Sequence, residues 1–149
     1  MKLEKRRPTT KGPADWFTGD VWVDSVAQGH GDTPTSIGLV HFTPGARTAW
    51  HSHAIAQTVH VTEGEGRIQS RGEPITTIRA GDTVYTPGGE WHWHGAAPDH
   101  FMTHLANRDR HQVQHALRRR RQAARPDQPP RPSSRRRRRI PPSPRCPAR

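Results

Sequence analysis

The chain has almost no cysteine, since Cys146 stands alone among 149 residues. A single cysteine excludes a disulfide framework and a cysteine-based zinc site within one chain. A chain without disulfides fits a reducing compartment, and we predict a cytoplasmic location. Long apolar runs are absent too, because no stretch approaches the roughly 18 consecutive apolar residues that a membrane span requires. The charged N-terminal segment is followed by no apolar stretch, so a secretory signal is not expected.

Acidic and aromatic residues are scarce in the last part of the chain. Residues 108–149 contain 15 Arg, 2 Asp and no aromatic residue, whereas residues 1–107 contain 9 Lys and Arg against 11 Asp and Glu. The net charge of +11 therefore belongs to the C-terminal part. A segment so rich in Arg and Pro cannot bury enough apolar surface to offset its chain entropy. We predict a flexible arm over residues 1–11, one folded domain over 12–107 and a disordered basic tail over 108–149.

Three interpretations of this tail stay open. A flexible polycation binds nucleic acid non-specifically by neutralising phosphates. The Arg blocks also resemble a localisation signal. The third interpretation is a non-native end, because translation of a GC-rich coding sequence in the wrong frame produces such a mixture of Arg, Pro, Ser, Ala and Gln. Without interleaved aromatic residues, base-specific recognition is not expected.

Helical periodicity of useful length is missing before residue 107, and short strands take its place. We predict strands over residues 21–23, 37–42, 49–53, 57–62, 67–70, 75–79, 83–86, 91–95 and 101–106. Gly or Pro separates most of them, as in the Pro44-Gly45 turn. Short strands that recur roughly every 8–12 residues indicate an all-β sandwich or barrel.

Two short clusters stand out among the 11 histidines. Alternate side chains of an extended strand share a face, so His51 and His53 point the same way, and His92 and His94 repeat that spacing. The amide oxygen of Gln57 is a further possible ligand. Three neutral imidazoles and one amide oxygen suit a divalent first-row metal such as manganese, iron, nickel or zinc. The alternative is that these are ordinary core or surface histidines beside a barrel-lining amide.

The spacing of glycine and proline around these clusters makes a family resemblance specific. The two patterns are Gly45-(5)-His51-(1)-His53-(3)-Gln57-(6)-Gly64 and Gly81-(5)-Pro87-(1)-Gly89-(2)-His92. They resemble the two motifs of the cupin superfamily, although the first motif has Glu where Gln57 stands and the second often ends in Asn where Ala96 stands. Residues 12–19, 44–51, 91–96 and 102–105 are similar to small bacterial cupins that include manganese-dependent hydroxynitrile lyases. A Gln at the Glu position is expected in that group.

This resemblance implies a single-domain cupin (jelly-roll) β-barrel that binds one divalent metal ion, manganese by preference. The implied metal ligands are His51, His53, Gln57 and His92. Related cupins are commonly dimers or tetramers, so a homo-oligomer assembled through the barrel is expected. The partner at the site is then a small-molecule substrate, and no membrane partner is expected.

The resemblance also implies roles for other residues. His104 is the implied catalytic base, although a single histidine on a strand is also compatible with a structural role. Thr48 lines the site and hydrogen-bonds a substrate oxygen, and Gly38 and Val40 shape the pocket wall. His94 either faces the substrate pocket or packs under a tryptophan. The five tryptophans are interpreted as core and rim packing and not as a cofactor site.

The function implied by the resemblance is that of a carbon–carbon lyase that cleaves or forms small cyanohydrins such as mandelonitrile. A metal polarises the hydroxyl oxygen and His104 takes its proton. A metal-dependent cupin dioxygenase is the first alternative, because a fold does not determine the reaction. A non-catalytic cupin that binds a small ligand is the second, and a nucleic-acid binder acting through the tail is the third.

Overall fold

The computed structural model describes residues 3–30, 35–109 and 113–115. Within these ranges the chain forms strands Thr10–Lys11 (β1), Phe17–Thr18 (β2), Val21–Ala27 (β3), Thr35–Phe42 (β4), Arg47–Thr48 (β5), His51–His53 (β6), Gln57–Ser70 (β7), Thr76–Arg79 (β8), Thr83–Thr86 (β9), His92–Ala96 (β10), Met102–Asp109 (β11) and Val113–His115 (β12). The described residues form no α-helix. None of them belongs to a helix with the length and apolar character needed to cross a membrane.

The strands form one sheet that folds over on itself at β7. Its order is β1-β3-β4-β11-β7-β10-β5-β2, with β8 and β9 paired to β7 and β6 paired to both β10 and β12. The first part of β7 pairs with β11 and β9, and the second part pairs with β10 and β8. Every pairing is antiparallel, so β7 joins two facing layers of a curled sheet. The all-β architecture predicted from the sequence is confirmed.

A single long strand replaces the two strands predicted over residues 57–62 and 67–70. At Gly64 the alternation of buried and exposed side chains is interrupted, but the strand pairing continues. Gly64 has a φ of +78°, a backbone conformation that favours glycine. A Cβ atom there would overlap the carbonyl oxygen of Phe101. The predicted strand 49–53 is also different, since Ala49 and Trp50 are not in a strand and only His51–His53 forms one (β6), with β5 ending before them at Thr48.

The hydrophobic core lies between the two layers. On β7 and β8 its members alternate with less buried residues, as the two-residue period of a strand requires. The core residues are Val21, Phe42, Ala46, Val61, Ile68, Ile78, Ala96 and Met102, with Phe17, Val40 and Val84 packed against them. The core borders the buried histidines, because the ring of Phe42 contacts those of His94 and His104.

Strand pairing reaches beyond residues 12–107 on both sides. Strand β1 lies within the predicted arm and pairs with β3. Strand β11 continues to Asp109, and β12 lies within the predicted tail and pairs with β6. Such backbone pairing needs no apolar side chains, so composition does not reveal it. The rest of the predicted tail, from residue 116 on, lies outside the described residues.

Candidate metal centre and its cavity

Two strands bring the two histidine clusters together. His51 of β6 is the register partner of His92 of β10, and their ring centroids are 4.3 Å apart. His53 lies on the same face of β6 as His51, as the alternation of a strand requires. The ligand nitrogens of the three imidazoles all lie within 4.8 Å of one another, and all three side chains are buried.

The first residue of β7 adds an oxygen to this cluster. The Gln57 side chain is buried, and its Oε1 lies 2.9 Å from Nε2 of His92. Three imidazoles and one amide oxygen therefore meet at one place, although they come from β6, β7 and β10.

Backbone carbonyls orient two of the rings. Nδ1 of His51 donates to the carbonyl oxygen of Ala49 (2.8 Å), and Nδ1 of His92 donates to that of Glu90 (3.1 Å). A carbonyl oxygen can only accept, so each Nδ1 carries the proton and each Nε2 keeps its lone pair. Burial also lowers the pKa of His92, which favours the neutral, ligating form.

These tautomers put two lone-pair atoms, His92 Nε2 and Gln57 Oε1, only 2.9 Å apart. Two acceptors at that distance do not satisfy each other. Two ligands at right angles around a metal ion, with bonds of about 2.1 Å, lie about 3.0 Å apart. The donor set therefore fits a divalent first-row metal ion.

The metal centre forms one side of a cavity. Imidazole, amide and hydroxyl groups line its polar part, from His51, His53, Gln57, Thr48, His94 and His104; Trp16, Phe17, Val40 and Ala106 line its apolar part. No charged side chain is present among these described lining residues. Outside the candidate metal ligands, the described lining therefore offers hydrogen-bonding groups and apolar surface but no charge.

Two more buried imidazoles lie beside the metal centre. His94 of β10 and His104 of β11 have ring centroids 4.8 Å apart. Neither ring nitrogen of either residue has a hydrogen-bond partner among the described residues. Burial lowers the pKa of His104 to about 4. Burial, and then the neighbouring imidazoles, hold the pKa of His94 well below its usual range. Both rings are neutral near pH 7 and offer unused donors and acceptors to a ligand.

Comparison with known proteins identifies the family. Residues 38–103 match the cupin domain model. An (R)-mandelonitrile lyase from Granulicella tundricola is 50% identical over 100 residues, which cover 67% of this chain and 76% of that protein. The chain belongs to the cupin family.

Solved cupin structures agree with this assignment. A cupin-like protein from Thermotoga maritima is 38% identical, with a TM-score of 0.68, and the match covers 77% of this chain and 88% of that one. The polyketide cyclase RemF from Streptomyces resistomycificus is 16% identical, with a TM-score of 0.64 over 78% of this chain and 85% of that one. The second likeness is one of fold alone. The single cupin barrel predicted from the sequence is confirmed.

The cupin barrel brings most of the predicted site residues to one cavity. Thr48 is buried in its wall, and its Oγ1 accepts the backbone N–H of His94 (3.1 Å), which leaves the hydroxyl hydrogen for donation to a ligand. Val40 also lines the cavity. Of the two roles left open for His94, the structure places it in the cavity wall.

Gly38 does not line the cavity among the described residues. It lies on the same face of β4 as Val40, opposite Ala106 of β11. Because glycine has no side chain, Ala106 forms the wall at this point. Alternation from His104 could have identified Ala106, which lies two positions along the same strand.

Trp16 and Phe17, like Ala106, line the cavity but were not identified as site residues from the sequence. They come from a turn and the two-residue strand β2, which reach the cavity through pairing with β5. No spacing in the sequence indicates such a contact, because it depends on the packing of segments more than 20 residues apart.

Proposed function

We propose that this cupin is a metal-dependent hydroxynitrile lyase that cleaves and forms small cyanohydrins such as mandelonitrile. The observation that carries the proposal is a cavity without charged side chains, in which a three-histidine, one-amide ligand set lies close to a buried neutral imidazole, His104. The 50% identical relative named (R)-mandelonitrile lyase supports the same reaction class.

The metal ligands in this proposal are His51, His53, Gln57 and His92. The ion is divalent, with manganese preferred over iron, nickel or zinc. When bound, it supplies a Lewis acid that polarises the substrate oxygen. All four ligands are neutral, so no ligand charge compensates the +2 charge of the ion.

His104 accepts the proton of the substrate hydroxyl. Because burial keeps its imidazole neutral, an unprotonated ring nitrogen is available at neutral pH. As the hydroxyl O–H bond breaks, the carbon–carbon bond to the nitrile breaks with it, a carbonyl group forms and cyanide departs with the bonding electron pair. Cyanide then takes up a proton, so one cyanohydrin gives one aldehyde and one hydrogen cyanide.

Thr48 and Val40 position the substrate for this step. The Thr48 hydroxyl donates to the substrate oxygen, while its own oxygen accepts from the backbone of β10. Val40 is the register partner of His104 and supplies an apolar surface beside it. A second hydrogen bond to the substrate comes from His94, whose ring nitrogens have no partner among the described residues.

The lining of the cavity supplies the groups that a cyanohydrin needs. Outside the proposed metal ligands, the described lining residues offer hydrogen-bonding groups and apolar surface but no Lys or Arg. A cyanohydrin is neutral, so it needs hydrogen bonds and a polarised oxygen and no charged partner.

The test combines elemental analysis of the purified full-length protein with assays of cyanide release from mandelonitrile and of oxygen uptake. We expect one divalent ion per chain and cyanide release without oxygen consumption. His104→Ala should lower the release rate about 100-fold or more, while His60→Ala, at an exposed histidine of β7, should leave it unchanged.

Two outcomes would contradict the proposal. Oxygen uptake without cyanide release would identify an oxygenase, and a metal-loaded protein without either activity would identify a non-catalytic cupin. If cyanide release survives His104→Ala at the parent rate, the assignment of the base is wrong.

A further inference from the structure

Trp16 occupies a different position from the other residues that line the cavity. Its side chain is 36% exposed, whereas the remaining described lining residues are buried or half-buried. A side chain that contacts both the cavity and solvent stands at the mouth. Trp16 is therefore placed to contact the part of a bound ligand that lies nearest to solvent.

Backbone hydrogen bonds hold Trp16 in register with the metal centre. Its N–H donates to the carbonyl oxygen of Pro13 (2.9 Å), and its own carbonyl accepts the N–H of Ala49 (2.7 Å). The carbonyl of the same Ala49 accepts Nδ1–H of His51. One residue, Ala49, thus links the mouth of the cavity to a metal ligand, so the distance between them is set by the backbone.

Phe17 extends the apolar surface inward from Trp16. Its ring packs edge-on against Phe42, with centroids 6.1 Å apart. A Cβ atom on Gly12 would lie 2.6 Å from this ring, so a glycine is needed where the chain passes over it. The turn before β2 is therefore built to place two consecutive aromatic residues against the cavity.

The cavity has polar groups at its inner end and aromatic ones at its mouth. His94 and His104 have ring nitrogens without a partner among the described residues, and they require a polar ligand group. Trp16 and Phe17 offer mainly apolar ring surface, and their one polar side-chain group is the indole N–H of Trp16. A matching ligand carries its hydroxyl and nitrile groups inside and a flat apolar group outside.

We propose that Trp16 is a specificity-determining residue, which selects cyanohydrins with an aryl group by packing against that group at the cavity mouth. The inference rests on the proposed lyase function. Paired aromatic rings attract each other more strongly than the apolar area that they bury accounts for. Removal of the indole should therefore weaken the binding of aryl substrates about tenfold and leave the binding of short aliphatic substrates nearly unchanged.

The experiment measures kcat and KM for mandelonitrile and for 2-hydroxybutanenitrile with the full-length, metal-loaded protein. Trp16→Ala should raise KM for mandelonitrile about tenfold with kcat little changed, and it should change kcat/KM for the aliphatic substrate less than about twofold. Trp16→Phe should restore most of the preference, because it keeps a ring at the mouth. Trp22→Ala is the matched control, since Trp22 is 42% exposed on β3 and does not line the cavity.

The outcomes separate this inference from the lyase proposal. If the parent protein releases no cyanide from either substrate, the proposed function fails. If the parent releases cyanide but Trp16→Ala leaves the ratio of the two kcat/KM values unchanged, the role of Trp16 is refuted. An equal loss on both substrates, without rescue by Trp16→Phe, would also refute it, because that result indicates a structural role.

Discussion

Gln57 places a neutral amide at a position where the first cupin motif has glutamate. Its Oε1 lies 2.9 Å from Nε2 of His92, an arrangement that fits two ligands of one cation. A carboxylate in the same position would bind the cation more strongly but would cancel one unit of its charge. With an ion bound, the neutral amide of Gln57 would leave that ion more electrophilic than a carboxylate would.

Gln57→Glu should lower the rate of cyanide release about tenfold while metal content stays at the parent level, because a less electrophilic ion polarises the substrate oxygen less. Metal per chain by elemental analysis and cyanide release are measured together. Gln28→Glu, at a half-buried amide that contacts Ser25, is the control for an added negative charge. An unchanged rate at equal metal content would contradict this view of Gln57.

His104 should make the metal-free fold less stable in acid. Its pKa is about 4 in the folded protein because of burial, against about 6.5 in the unfolded chain. Between these values the unfolded chain binds a proton that the folded protein does not, so the free energy of unfolding falls as pH falls from about 6.5 to 4. Between pH 7 and pH 4.5 this contribution is about 2 kcal/mol.

The check is urea unfolding at pH 7 and pH 4.5 in the presence of a chelator. His104→Gln should reduce the difference in stability between the two pH values by about 2 kcal/mol. His60→Gln, at an exposed histidine, should leave that difference as it is in the parent. Equal pH dependence in the parent and His104→Gln would disprove the assigned shift.

At the scale of the elements, the neighbouring strands β10 and β5 approach each other closely within one layer of the sheet. Gly95 of β10 pairs with Arg47 of β5, and a Cβ atom on Gly95 would lie 2.4 Å from the carbonyl oxygen of Ala46 and from Cβ of Arg47. The adjacent hydrogen bond from His94 N–H to Thr48 depends on the same approach. A glycine is needed here because the backbones meet.

Gly95→Ala should therefore destabilise the protein by about 1–3 kcal/mol, since β10 must move away from β5. Gly38→Ala is the matched control, because its Cβ would meet no atom closer than 3.7 Å. Thermal and urea unfolding of the two variants give the comparison. Equal stability of the two variants would show that β10 can shift without cost.

For the molecule as a whole, the metal ion would connect three strands that are distant in sequence. Its ligands come from β6, β7 and β10, so an ion that binds only the folded state adds its binding free energy to folding. An ion present at 100 times its Kd contributes about 2.7 kcal/mol to the free energy of unfolding.

Chelation should therefore lower Tm by roughly 10 °C. In His51→Ala, neither added metal nor chelator should change Tm. If the Tm of the parent protein is the same with and without chelator, the proposed metal site is contradicted, and this result does not depend on any enzymatic assay.

The pairing of β12 with β6 predicts where the chain can be shortened. Val113, Gln114 and His115 are the register partners of His53, Ser52 and His51. Removal of residues 116–149 should leave Tm and metal affinity within error of the parent. Removal of residues 108–149 should lower Tm by several degrees, because the backbone hydrogen bonds between β12 and β6, worth about 1 kcal/mol each, are lost. Scanning calorimetry of both shortened chains decides this. Equal Tm values for the two shortened chains would show that β12 does not stabilise the metal centre.

The expected homo-oligomer and the cytoplasmic location stay predictions.

The sequence by itself determined the all-β class, most strand positions and the grouping of the metal-ligand candidates. Each depends on local rules: the two-residue period puts His51 and His53 on one face, and turn residues such as Pro44-Gly45 separate the strands. Motif spacing then brought Gln57 and His92 into the same predicted ligand set. These features need no knowledge of which strand lies beside which.

Only the tertiary structure decided what surrounds those ligands. The register between β6 and β10 sets the ring distances, the crossing of β7 between layers encloses the cavity, and desolvation by distant strands makes His104 neutral. The same non-local packing brings Trp16 to the mouth and β12 to β6. Strand register and burial arise from contacts between residues far apart in the chain, which local sequence patterns do not encode.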